Sequence, residues 1–101
     1  DQAMELMKRS YEQIVRTAQA YGVVVTIEVH GYFTTKPDMM AEMQAFSDSP
    51  YLRMNMDTGN TFIAGHNPLD YCKALRPHIV HCHIKDVSPA LAAAGVTVRP
   101  C

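Results

Sequence analysis

IVHCHIKDV, residues 79–87, sets His81, His83 and Lys85 at alternate positions in a short, largely apolar run. Residues two apart on a strand share a face. Ile79, His81, His83 and Lys85 therefore point one way, and Val80, Cys82 and Ile84 the other. The second face is apolar enough to pack under helices. The first gathers titratable groups on one wall, which has a physical reason only where that wall lines water, a ligand or a metal.

Two earlier segments have the same character. VVVTIEVH (23–30) is rich in β-branched residues and short enough for a strand, as is YLRMNMD (51–57). Between and around them lie helical signals. Met4, Met7, Tyr11, Ile14, Val15 and Ala18 recur at helical spacing within residues 2–20, and Gly22 follows as a stop. Pro37 opens a helix that runs from Asp38 to about Ser47. Pro68 opens another through Leu75, with Asn67 as its cap. Residues 31–35 and 58–67 read as loops, and a short helix spans about Pro89 to Ala94. Strand, helix, strand, helix, strand predicts parallel βαβ units with right-handed crossovers.

In each strand one face is apolar and the other turns polar toward the C-terminal end. Val23, Val25, Ile27 and Val29 oppose Val24, Thr26, Glu28 and His30. Leu52, Met54 and Met56 oppose Tyr51, Arg53, Asn55 and Asp57. An open doubly wound sheet meets helices on both faces and favours nearly continuous apolar strands. A polar second face fits a barrel, with a packed lower core and a site at its C-terminal mouth. Glu28, Asp57 and His83 are then the natural converging set. Two carboxylates and one imidazole suit Mn²⁺, Mg²⁺, Co²⁺ or Zn²⁺, and three ligands leave the site open for catalysis. Taken singly, each residue has a plainer use: Glu28 as a solvated strand end, Asp57-Thr-Gly as a turn or helix entry, His81 as a hydrogen-bonded core histidine.

Composition bounds the remainder. The chain has 101 residues, 48% of them hydrophobic, which suits one small globular unit. The formal net charge is −1 and no basic block occurs, which argues against nucleic acid or an acidic membrane surface as partner. No run is long enough to span a membrane. Cys72, Cys82 and Cys101 form no CxxC pair and read as reduced thiols, so a cytoplasmic location is expected.

IEVHGYFTT (27–35), MDTGNTFIAGHNPLDY (56–71) and HCHIKDV (81–87), in this order and spacing, resemble the sugar phosphate isomerase/epimerase family, whose members have the xylose isomerase-like TIM barrel. The resemblance implies an α/β fold: a partial (β/α)8 barrel comprising about strands five to seven, with residues 1–101 a fragment of one domain. It implies a single divalent metal, Mn²⁺ foremost, held by Glu28, Asp57 and His83, with Glu28 also shuttling a proton through a metal-stabilised enediolate. The implied partner is a small-molecule sugar or sugar phosphate. Many relatives carry a histidine where this chain has Asn60, so Asn60, His30, His66 and Lys85 are the candidates for substrate contact.

The fourth ligand of the family, a glutamate on strand eight, has no counterpart after His83. The chain by itself is therefore expected to be inactive, and its open sheet edges to favour self-association into a homo-oligomer. Two other readings stand beside the isomerase. One is a metal-dependent endonuclease of the same superfamily, which the lack of basic surface disfavours. The other is a non-catalytic partial barrel that serves as a structural or interaction module.

Overall fold

The computed structural model describes residues 2–94. Helix α1 (Gln2–Tyr21) leads into β1 (Val25–Glu28), then α2 (Pro37–Gln44), β2 (Leu52–Asp57), α3 (Thr58–Ile63), α4 (Pro68–Leu75), β3 (Ile79–His83) and α5 (Pro89–Ala93). The strands form one parallel sheet in the order β1-β2-β3. Helices fill both connections, which makes the sheet three successive staves of a partial β/α barrel.

Local chemistry sets the ends of these elements. Gly22 has φ +64°, and the amide of Val23 donates to the carbonyl of Ala18 at 2.9 Å, which closes α1. Asn67 Oδ1 accepts from the amides of Leu69 (2.8 Å) and Asp70 (3.3 Å), with Pro68 at the first helical position of α4. Between β1 and α2, Thr34 Oγ1 accepts from the amides of His30 and Gly31, at 2.9 and 3.1 Å, which folds that loop tightly.

Ile27 and Val29 at β1, with Leu52, Met54 and Met56 of β2, are buried on the helix side of the sheet. There they meet Met4 and Val15 of α1, Met40 and Met43 of α2, and Tyr71 and Leu75 of α4. Methionine suits the space between a twisted sheet and three helices because its flexible thioether fills irregular gaps. Tyr71 donates its hydroxyl to the carbonyl of Thr34, which ties α4 to the loop after β1.

Several sequence expectations need correction. The first strand is shorter than 23–30: Val23 and Val24 are exposed ahead of β1, and the loop turn at Thr34 draws His30 out of it. Helix α2 ends at Gln44 and not near Ser47. Residues 58–63 form helix α3 where a loop was expected, because Asp57 Oδ1 accepts from the Asn60 amide at 2.8 Å and starts a helical turn.

The third strand stops at His83, and its alternation is broken. Met54 pairs with Ile79 but the next residue, Asn55, pairs with His81, so Val80 is an extra residue in the ladder. This bulge resets the period. Ile79 packs against the helix-side core and not on the wall of His81 and His83. Val80, Cys82 and Ile84, expected under helices, are exposed. Strand β3 forms one edge of the sheet. Cys72 is partly buried and free, and Cys101 lies outside the described residues. Among the described residues, no helix is long and apolar enough to cross a membrane.

Burial raises the Tyr71 hydroxyl well above the usual tyrosine range, and raises that of Tyr11 by the same cause. The folded chain thus keeps protons that the unfolded chain loses near pH 10. This contribution to stability is complete below about pH 10 and is lost as pH rises from there toward the folded-state values. Tyr71→Phe removes the hydrogen bond to Thr34 and should cost about 1–2 kcal/mol at pH 8. It should also lessen the further loss between pH 8 and 11, as read from urea midpoints.

Candidate metal centre

Each strand delivers one chemical group to the C-terminal edge of the sheet. Asp57 pairs with His83 in register, while Glu28 pairs with Asn55, two residues below Asp57. The longer glutamate side chain closes that offset. His83 Nδ1 lies 3.0 Å from Glu28 Oε1 and 3.6 Å from Asp57 Oδ2. One ligand atom from each of the three residues falls within 4.8 Å of the others.

The three surroundings differ. The Asp57 side chain has no exposed surface, whereas those of Glu28 and His83 are about two-fifths exposed, at 41% and 43%. Asp57 is held on both sides. Its Oδ1 accepts from the Asn60 amide at 2.8 Å, and Thr61 Oγ1 donates to its backbone carbonyl at 2.7 Å. That fixes the direction of Oδ2, which faces His83 and also lies 2.7 Å from Lys85 Nζ.

A polar layer below the site sets the imidazole. Asn55 is buried, and its two amide protons are satisfied when Nδ2 points at His81 Nδ1 (3.0 Å) and at the carbonyls of Met56 and His81 (both 3.2 Å), which share the second proton. The amide oxygen then faces His83 Nε2 at 3.5 Å. A proton on Nε2 directed at Asn55 leaves the Nδ1 lone pair for the carboxylate side, the arrangement a metal-binding histidine needs. The His81 ring stands edge-on to that of His83, with centroids 5.4 Å apart.

Lys85 lies beyond β3 and still reaches the site because its backbone is clamped. Its amide donates to Thr58 Oγ1 at 3.0 Å, and Thr58 Oγ1 donates back to its carbonyl at 3.0 Å. Its stem runs over Gly59, where a Cβ would lie 2.6 Å from Lys85 Cβ. Lys85 Nζ also donates to Asn60 Oδ1 at 3.3 Å.

The other anticipated residues divide. His30 is exposed and borders, with Glu28, a cleft of about 290 Å³ whose other walls include Met7, Tyr11, Ile27 and Met43, on the helix side of the sheet and apart from the converging groups. Asn60 is fully buried and donates from Nδ2 to the Val29 carbonyl at 2.9 Å, so it braces β1 against α3 behind the metal-ligand set. His66 lines a separate depression with Phe62, Gly65 and Pro68, apart from the converging groups.

Sequence reading had not singled out Asn55, Thr58 or Gly59. Asn55 was accessible to it, two residues before Asp57 on the same strand face. Thr58 and Gly59 were not, since their part depends on where Lys85 passes in three dimensions.

The donor chemistry fits a divalent cation: two carboxylate oxygens and an imidazole nitrogen converge, with the buried carboxylate held rigid. The model of one protein family, described as xylose isomerase-like TIM barrel, matches residues 1–99. Comparisons with curated proteins and with solved structures returned no match.

Thr58→Val keeps the shape of the side chain but removes both hydrogen bonds to the Lys85 backbone. It should lower stability by about 1–2 kcal/mol in urea unfolding. Backbone amide exchange at Lys85 should accelerate, with far-ultraviolet circular dichroism unchanged.

Proposed function

Because the chain belongs to the xylose isomerase-like TIM barrel family, we propose that Glu28, Asp57 and His83 hold one divalent cation at the mouth of a β/α barrel. We read residues 1–101 as part of a single such domain, working as an isomerase or epimerase on a sugar or sugar phosphate. The observation that carries the reading is the convergence of the three ligand atoms within 4.8 Å at the C-terminal edge of three parallel strands. That edge is where β/α barrels place their chemistry. Mn²⁺ is the first choice of ion, followed by Mg²⁺, Co²⁺ and Zn²⁺, since two oxygen donors and one nitrogen suit all of them.

A divalent cation bound there supplies Lewis-acid stabilisation of negative charge on a substrate oxygen. The chain's own residues do the rest. Glu28 is partly exposed on the side of the sheet that carries the ligand set, so its carboxylate is open to a bound small molecule. In this role Glu28 Oε takes the proton from the carbon beside the substrate carbonyl, as a general base. Asp57 is buried and twice anchored, and it contributes a fixed charge. His83, directed by Asn55, contributes an oriented nitrogen. His30, exposed two residues beyond Glu28, is the candidate to offer a hydrogen bond to a substrate hydroxyl.

A second reading, a non-catalytic interaction module, draws on the exposed apolar residues at the sheet edges, Val23 and Val24 on one side and Val80 and Ile84 on the other. The two readings part on metal affinity. Calorimetric titration of the chain with Mn²⁺ should show one site, weakened at least about tenfold, or ~1.4 kcal/mol, in each of Glu28→Gln, Asp57→Asn and His83→Ala. No binding of Mn²⁺, Co²⁺ or Zn²⁺ would remove the metal reading for this chain. For the reaction itself the chain alone is expected to be inactive, so the assay belongs to a whole barrel that contains it, where deuterium wash-in beside the carbonyl of candidate ketoses in D₂O reports proton transfer. Glu28→Gln should abolish it.

A further inference from the structure

Lys85 is anchored in a way that a rim lysine is not. Thr58 clamps its backbone from both sides, Gly59 gives its stem a path only a residue without a side chain leaves open, and its ammonium ends 2.7 Å from Asp57 Oδ2. That oxygen belongs to a carboxylate with no exposed surface. It is also the oxygen turned toward His83, and hence the one available to a cation held by the three ligands. The other oxygen, Oδ1, is engaged by the Asn60 amide.

Two positive charges cannot share one buried oxygen without strong, poorly screened repulsion. We infer that Lys85 is a resident counter-cation: it neutralises Asp57 while the centre is empty of metal and is displaced from Oδ2 when a divalent ion enters. The inference rests on the metal reading above and adds a property to it, a metal affinity set by an internal competitor. A buried carboxylate with no partner would destabilise the metal-free fold, so Lys85 keeps the centre assembled before loading. Asn60 Oδ1, which already accepts from Nζ at 3.3 Å, keeps hold of the ammonium once it leaves Oδ2.

The test compares the whole chain with Lys85→Met by Mn²⁺ calorimetry and by thermal unfolding in EDTA. Lys85→Met should melt at lower temperature without metal and bind Mn²⁺ at least about tenfold more tightly, with saturating Mn²⁺ narrowing the gap in melting temperature. Gly59→Ala keeps the charge but drives a methyl group into the Lys85 stem, and it should shift both readouts the same way by a smaller amount. Equal or weaker Mn²⁺ binding by Lys85→Met, beside clear binding by the unaltered chain, overturns the inference and leaves the metal reading standing. Binding by Asp57→Asn as tight as that of the unaltered chain overturns both. If Lys85→Met does not fold, Zn²⁺ titration of the ¹³C-lysine-labelled chain decides. The Lys85 methylene resonance, assigned through Lys85→Arg, should move with loading, and a resonance unmoved at saturation overturns the inference.

Discussion

A carboxylate with no exposed surface has to be neutralised from within the protein, and the upper end of this sheet is arranged around that requirement at Asp57. One oxygen starts α3 by taking the Asn60 amide; the other faces Lys85 and His83. The same side chain thus ends a strand, begins a helix and anchors a cluster of charge. Asn60, brought in by that first turn, reaches back to the Val29 carbonyl and fastens β1 to the same point. Glu28 then comes within contact of His83 although it sits two positions lower in the ladder.

Much of this could be read from residue types and spacing. The alternation in three short β-rich segments gave the parallel strands. Asn67-Pro68 marked a helix start to the residue, because a side-chain cap followed by proline acts locally. The convergence of Glu28, Asp57 and His83 was legible because each is a good ligand near the C-terminal end of the polar side of its strand. What escaped was long-range or subtle in its local cause. An aspartate followed by Thr-Gly suits a turn and a helix cap equally well, so α3 was read as a loop. The inserted Val80 leaves no mark in IVHCH, where alternation still looks perfect, and yet it moves Ile79 to the opposite side of the sheet. The place of Gly59 could be known only once Lys85 was seen to pass over it.

Two layers of side chains divide the labour. On the helix side, methionines and branched aliphatics fill the space between sheet and helices, with Tyr71 adding one polar tie through the core. On the other side, Asn55 and His81 form a hydrogen-bonded floor beneath the ligand set. Of that pair Asn55 is buried and His81 is exposed; Asn55 meets its hydrogen-bonding needs at His81 and also touches the His83 ring at 3.5 Å.

The extra residue in β3 separates these layers along the chain as well. Ile79 answers to the helix-side core, His81 to the polar floor, and Val80 between them is tied to neither. By resetting the period of the strand, the bulge lets one short segment serve an apolar core at its start and a polar, water-facing wall at its end, two environments that strict alternation would have set on opposite registers.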